Sequence, residues 1–302
     1  MKLKSITMIL VAVAGVLATS CIREDYSDCF NRYVVNLSYM GDGTDEIFSQ
    51  KIRKVQMYIF DSENRCIHQA ALSDEEVRLQ RTMLPVLEQG DYRLVFLGNM
   101  NTTEVTGLQS GDFSEILFGD QAYWDGGTVS GNDSLYLAGL DYTIEPFSSE
   151  RKITTKTAAF ASSHYDVIVE VIGVPKSAMT SAPMIVLTGV SPYADFNNVA
   201  ATDHQTDYVL DPVHDGNNKA TASCNILRHL DHENVYLKVL DAAGGVMASV
   251  NFAEFIQKHA DQIDCSKNEV VIPIKVEFNA SQTDVKVTLP DWWVVDVHPG
   301  WN

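Results

Sequence analysis

The chain has 302 residues, 45% of them hydrophobic, which is globular composition and enough chain for two ordinary domains, each with its own core. Its formal net charge is −18, so nucleic acid and other polyanions are excluded as partners that a basic face would recruit, and an anionic bilayer is repelled by the surface.

The first twenty residues read as a signal peptide. Lys2 and Lys4 form a basic n-region, and Ile6 to Leu17 form an apolar h-region of roughly a dozen residues, too short to span a bilayer as a helix. Ala18, Thr19 and Ser20 supply the small side chains a signal peptidase needs. Cys21 directly behind them makes Leu17-Ala18-Thr19-Ser20-Cys21 resemble a lipobox, with Ala18 where many lipoboxes carry Leu. Cys21 is then the lipidated N-terminus of the mature chain, its thiol carrying a diacylglyceryl group and its amine a further acyl chain. More than one chain is what stable anchoring requires. Removing residues 1–20 takes away two lysines and no acid, so the mature protein is still more acidic. Residues 21–31, including Ile22-Arg23-Glu24-Asp25-Tyr26-Ser27-Asp28, are polar and lack apolar periodicity; they read as a tether. No later stretch is long and apolar enough to cross a membrane as a helix.

A first β-sandwich is expected over residues 32–155. Tyr33, Val35, Leu37 and Tyr39 alternate as in a half-buried strand that ends at Gly41-Asp42-Gly43. Ile52 to Phe60 places Val55, Met57 and Ile59 on one side, and Asp61-Ser62-Glu63-Asn64 turns the chain into Arg65 to Ala70, a hairpin. Ser73 and Glu76 have capping-box spacing. Tyr92 to Leu97 is apolar on both faces and is expected mid-sandwich, under the opposing sheet on one side and a helix or loop on the other. Asn101 to Asn132, rich in Gly, Ser and Thr, reads as surface connections, followed by a strand at Ser134 to Ala138.

Several of these pieces together resemble the fimbrium anchor subunit family of Bacteroidales. They are Cys21 with its acidic tail, Ser27-Asp28-Cys29, the strand Tyr33 to Tyr39, Val55-Gln56-Met57-Tyr58-Ile59-Phe60-Asp61, and Gly90-Asp91-Tyr92-Arg93 running to Gly98-Asn99. Past a linker near Glu150 to Ala161 the likeness continues through Tyr165 to Val171, Asn251-Phe252-Ala253-Glu254-Phe255-Ile256, and Val285 to Val297 with Trp292 and Trp293. The resemblance implies an all-β chain of two tandem transthyretin-like β-sandwiches with short helical insertions. It also implies a non-catalytic lipoprotein at the outer membrane that holds the base of a fimbrium, limits its length, and has fimbrillin stalk subunits as partners. Acidic residues close behind the lipidated cysteine resemble the signal for the outer leaflet.

The residues of the second half, 156–302, independently suggest a sandwich. Tyr165 to Val171, Met184 to Thr188, Val235 to Leu240, Val246 to Val250, Glu269 to Phe278 and Val285 to Val297 are strand-like and separated by turn residues. Asp241-Ala242-Ala243-Gly244-Gly245 is a turn, and Asn251 with Glu254 can cap a short helix that buries Phe252, Phe255 and Ile256.

No catalytic or cofactor motif is present: there is no P-loop, no GxSxG elbow and no HExxH, since His232-Glu233 lacks the second His and Ser130 sits one residue off the elbow pattern. His204, Asp207, His214 and Asp215 form a His/Asp cluster among turn residues, and Asp42, Asp45 and Glu46 form an acidic turn; both read as polar loops without a metal. After Cys21, four cysteines remain, and three pairings are open. Hairpin pairing favours Cys29 with Cys66, and confinement to one domain favours Cys224 with Cys265, with free thiols as the alternative. The C-terminal run Val285 to Trp301, with Trp292, Trp293 and Trp301, is the candidate contact to the next subunit; the same run could instead be a last strand closing the second sandwich. A glycan-binding surface lipoprotein is the alternative function, with Tyr123-Trp124 and Trp292-Trp293 as candidate sugar platforms. Because neighbours on a strand face opposite ways, one of Trp292 and Trp293 is expected in the core.

Overall fold

The computed structural model describes residues 32–146, 152–174, 183–215, 218–229, 232–279 and 285–293. The first half carries β1 (Arg32–Ser38), helix α1 (Phe48–Lys51), β2 (Val55–Phe60), β3 (Cys66–Ala71), α2 (Asp74–Leu79), β4 (Arg81–Met83), β5 (Gly90–Gly98), β6 (Thr103–Thr106), β7 (Leu117–Asp120), α3 (Gln121–Trp124), β8 (Tyr136–Ile144), β9 (Ile153–Ala159) and β10 (Ala161–Ser162). The second carries β11 (His164–Ile172), β12 (Met184–Val190), β13 (Tyr193–Asp195), β14 (Thr206–Leu210), β15 (Val213–His214), β16 (Lys219–Leu227), β17 (Tyr236–Leu240), β18 (Val246–Asn251), α4 (Phe252–Lys258), β19 (Val271–Phe278) and β20 (Val285–Thr288). The all-β expectation holds.

In the first sandwich the sheet β4-β1-β9 faces the sheet β10-β8-β5-β2-β3. Period-two alternation sends Val35 and Leu37 from β1 inward to meet Met57 and Ile59 from β2 and Leu94 and Phe96 from β5. The hairpin between β2 and β3 is closed by Asp61, whose carboxylate accepts from the backbone N–H of Glu63 at 2.9 Å and of Arg65 at 3.0 Å. Helix α2 starts with the capping box expected of Ser73 and Glu76. The second sandwich sets β15-β16-β11-β19-β20 against β14-β12-β17-β18 around Val167, Val169, Leu187, Leu237, Ile272 and Ile274. Asn251 caps α4 by accepting from the Glu254 N–H, and Phe252 and Phe255 point into the core.

Three expectations need correction. Asn101 to Asn132 is not a set of surface connections: it contains β6, β7 and α3, and with β13 makes a third sheet, β13-β7-β6, over the outer face of β5. Ile116 and Phe118 are fully buried there against Val95, Leu97, Tyr58 and Phe60, so the second cover of β5 is a sheet. β6 and β7, four residues each and separated by a ten-residue connection rich in Gly and Ser, are too brief to show a period. The stretch read as a linker near Glu150 to Ala161 contains β9, which runs parallel to β1 from Arg32↔Ile153 to Ser38↔Ala159. The division expected at 155/156 therefore falls inside a strand of the first sandwich. Only Ala158 of β9 is buried, which is why the sequence Ile-Thr-Thr-Lys-Thr-Ala-Ala shows no apolar alternation. Finally, the last strand stops at Thr288. Leu289 and Pro290 follow, and Asp291–Trp293 is a 3-10 turn in which Trp293 N–H donates to the Pro290 carbonyl at 3.0 Å.

The halves interlock. β13, from the second, pairs with β7, from the first, at Tyr193↔Gly119 and Ala194↔Phe118, and Phe196 lies edge-on to Tyr58 with centroids 5.4 Å apart. A Cβ at Gly119 would stand 2.5 Å from the Pro192 carbonyl, so the approach of β13 needs glycine there. In return Val129, from the first half, is buried in the second core and bridges to Tyr208.

Candidate functional site

Three regions hold the residues that the sequence singles out. The first is the C-terminal edge. β20 pairs antiparallel with β19 from Lys275↔Thr288 to Phe278↔Val285, and Val287 and Leu289 pack on the second core, so residues 285–288 close the edge of the larger sheet. Parallel pairing of β11 with β19 sets Glu170 beside Lys275. Both are buried, and a buried charge requires a partner. Glu170 takes Lys219 Nζ at 2.6 Å and the Trp292 indole N–H at 3.2 Å; Lys275 Nζ donates to Asp291 at 3.0 Å. The turn Asp291–Trp293 is thus fastened across the sheet by polar contacts on both of its first two residues. Trp292 remains 51% exposed and Trp293 is half-buried; neither enters the core, because Pro290 ends the ladder before strand alternation reaches them. Trp301 lies outside the described residues.

The second region is the junction of the sandwiches. Asp42 accepts from the backbone N–H of Asn268 at 2.7 Å and of Glu269 at 2.9 Å, and Asn268 Nδ2 donates to the Gly41 carbonyl at 3.1 Å. Glu269 in turn receives the Tyr39 hydroxyl and Lys51 Nζ. Burial, then the hydrogen bond to Glu269, pushes the Tyr39 phenol well above its ordinary pKa, so it remains a donor. Within the acidic turn Asp42 holds the second half, while Glu46 ties the end of β1 to the start of α1 by accepting from Tyr39 N–H at 2.8 Å and Phe48 N–H at 3.0 Å.

The third region is aromatic. Trp124 stacks on Tyr193 at 5.3 Å between centroids and 19° between planes, and Tyr123 stands edge-on to Trp124 at 5.1 Å. The Tyr193 hydroxyl lies 2.8 Å from His204 Nδ1. His204 is also 3.0 Å from Asp203, whereas Asp207 accepts from Gly189 N–H at 3.3 Å and His214 sits on β15, so the expected His/Asp cluster does not converge. Among the described residues, no group of three or more His, Cys, Asp or Glu is placed to hold a metal.

A Ser/His/Asp row does occur on β10 and β11: Ser162 Oγ is 3.3 Å from His164 Nδ1, and Asp166 is 3.5 Å from Nε2. It has no nucleophile. His164 Nδ1 also faces the Leu135 carbonyl at 2.9 Å, which requires a proton on that nitrogen, and Ser162 Oγ donates to the His164 carbonyl. Both residues are buried at the junction.

Cys21 and Cys29 lie outside the described residues. The pairing of Cys224 with Cys265 is not formed: both are free thiols, as is Cys66, whose Sγ is 3.4 Å from the His68 carbonyl. Cys224, on β16 opposite Val167, packs against Gly131, whereas Cys265 sits in the loop after α4, its carbonyl accepting from Tyr165 and Arg228. Confinement to one half of the chain did not bring the two side chains onto each other. Burial, then the nearby Asp166 carboxylate, pushes the Cys224 thiol up to about 12.

With this architecture in place, comparison with known proteins identifies the family. The model of the fimbrillin-A associated anchor proteins Mfa1 and Mfa2 matches residues 26–298. The chain belongs to that family. The anchor-protein family is a structural one and not a family of enzymes. Among solved structures, the fimbrial anchor protein Mfa2 of Porphyromonas gingivalis is similar at 15% identity and a TM-score of 0.64, over 86% of this chain and 96% of that one. A candidate adhesin from Bacteroides ovatus is similar at 11% identity and a TM-score of 0.69, covering 87% and 95%. A candidate polysaccharide-binding protein from Bacteroides thetaiotaomicron follows at 13% identity and 0.66, covering 87% and 96%. At these identities the likeness to solved structures is one of fold. No curated protein matches the anchor-family chain in sequence. Among the described residues, no helix is long and apolar enough to cross a membrane.

Proposed function

We propose that this chain is an outer-membrane lipoprotein, tethered by acyl chains on Cys21, that holds the base of a fimbrium at the cell surface and limits the length of the fibre. The observation that carries the reading is positional: the anchor-family match begins at residue 26, within the short acidic tether and five residues past the lipobox-like cysteine. A subunit in that place must carry load from the lipid to the next fimbrial subunit. Two sandwiches that share a third sheet and are clasped by Asp42, Asn268 and Glu269 suit that task, since a pull cannot part them without breaking buried strand pairing. The contact to fimbrillin subunits is assigned to the C-terminal edge, where Trp292 offers an exposed ring on a turn held by one ion pair and one hydrogen bond.

Substitution of Cys21→Ala tests the anchor. The folded sandwiches should persist, while fimbrial antigen moves from washed cells to the medium and fibre lengths, measured by electron microscopy, change. Cell-bound fimbriae of normal length, in a strain shown to lack the acylated protein, would sink the proposal.

A further inference from the structure

Beside the aromatic cluster, the loop from Asn198 to Gln205 covers a cavity of about 390 Å³ in the second sandwich. The volume is at the lower end of the range that small ligands occupy, about 300–1,000 Å³. Its floor is buried Tyr165 and Val235; Ala200 and Ala201 give an apolar wall; and the exposed side chains of Thr202, Gln205 and Asn234 stand at the rim.

The chemistry of this lining is selective. In a chain of net charge −18, no Asp, Glu or Lys lines the cavity. Arg228 does, but its guanidinium already donates to the carbonyls of Cys265, Lys267 and Asn268 at 2.9, 2.6 and 3.1 Å and lies 4.7 Å over the Tyr165 ring. It has little left to offer a carboxylate or phosphate. Thr202, Gln205 and Asn234 are neutral, and none of the three side chains is hydrogen-bonded to protein among the described residues. A hydroxyl and two amides offer donors and acceptors in equal measure, which suits a ligand that carries both on each polar group.

The aromatic cluster continues this surface. Ala201 N–H donates to the Tyr193 carbonyl at 3.0 Å, and His204, in the same loop, meets the Tyr193 hydroxyl. Tyr193 is thus tied through its backbone and its hydroxyl to the loop that covers the cavity, and its half-buried ring stacks on that of Trp124. Aromatic faces beside neutral hydrogen-bonding groups match a pyranose, which has an apolar C–H face and an equatorial ring of hydroxyls.

We propose that the cavity under the 198–205 loop and the Trp124–Tyr193 shelf form one binding site for an uncharged oligosaccharide. One sugar unit enters the cavity and hydrogen-bonds to Gln205 and Asn234, and the next lies against the rings. Binding there does not depend on the anchoring role.

Saturation-transfer NMR on the purified mature chain, with lactose, maltose, cellobiose, chitobiose and sialyllactose as probes, tests it. At least one neutral disaccharide should bind with a Kd on the order of 1 mM, and the pair Gln205→Ala with Asn234→Ala should weaken it by at least about tenfold with an unchanged melting curve. Trp124→Leu should weaken the same probe through the shelf. Absence of transfer from every probe, persistence of binding in the folded double variant, or sialyllactose binding tighter than lactose would each overturn the assignment.

Discussion

The indole N–H of Trp292 donates to Glu170 Oε2 at 3.2 Å, so a residue beyond the last described strand is tied to β11 in the middle of the five-stranded sheet. Glu170 also holds Lys219 at 2.6 Å, and it is nearly sealed from water. Trp292→Phe keeps an aromatic ring and loses only the donor. It should cost about 1 kcal/mol, seen as a small drop in the urea midpoint, and speed amide exchange in β20. Lys219→Met, which leaves a buried carboxylate with one neutral donor, should cost about 3 kcal/mol in urea unfolding.

Deleting residues 291–302 removes Trp292, Trp293 and Trp301 together and leaves β20 paired with β19. Stalk attachment should be lost while the circular dichroism keeps the spectrum of the parent, with a lowered melting temperature because Lys275 loses Asp291 and Glu170 loses Trp292. A folded deletion variant that still brings down fimbrillin would move the contact away from this edge.

Glu269 joins the sandwiches by receiving Tyr39 and Lys51 while its own backbone N–H is bonded to Asp42. Glu269→Ala leaves the Tyr39 hydroxyl without its acceptor, at a cost of about 2 kcal/mol. Calorimetry should show the single unfolding transition of the parent broaden or divide, because the clasp is part of what makes the halves unfold together.

Asp133 receives the backbone N–H of Asn101, Thr102 and Thr103 at 2.7, 2.8 and 3.0 Å. Burial pushes this carboxyl up, but the hydrogen bonds from Asn101, Thr103 and Thr102 outweigh it and hold the group below the ordinary Asp range. A depressed folded pKa means that the stabilisation is fully present above the unfolded value, about 3.9, and is lost as pH falls through the folded one. Urea midpoints should therefore drop below about pH 4, and Asp133→Asn should lower stability at neutral pH while flattening that acid limb.

Gly189 has φ +77°, and a Cβ there would lie 2.1 Å from the Asn234 carbonyl. Gly189→Ala should cost about 3 kcal/mol or more through strain and displacement of β12 from the 234 loop.

Alkylation checks the thiols. In the folded chain at about pH 8 Cys224 should resist modification, because burial and Asp166 keep it protonated, and after denaturation without reductant Cys66, Cys224 and Cys265 should all react. A disulfide-linked peptide containing Cys224 and Cys265 in an unreduced digest would contradict the structure.

What the sequence determined by itself was local. The alternation of Tyr33, Val35 and Leu37, the Asp61 turn, the Ser73–Glu76 box and the Asn251 cap all appear where expected, because each rests on residues within a few positions of one another. The resemblance of Leu17 to Cys21 to a lipobox is an expectation from the sequence alone, outside the described residues. Tertiary structure decided the rest. β9 is a strand because β1 offers it a hydrogen-bonding edge, although Ile153 to Ala159 has no apolar period of its own; β16 does alternate, with Ala220, Ala222 and Ile226 facing the core, but its apolar side chains are mostly small. Val95 and Leu97 are covered by a sheet whose third strand comes from residues 193–195, a partner about a hundred residues away that no window could propose. The fate of Trp292 was set by Pro290, which ends the ladder, and by Glu170 and Lys275, which parallel pairing places side by side beneath it. Likewise Gln205, Asn234, Trp124 and Tyr193 are scattered polar and aromatic residues in the chain. Gln205 meets Asn234 at one cavity, and Trp124 meets Tyr193, only after folding, since proximity between distant segments is a property of packing and not of order along the chain.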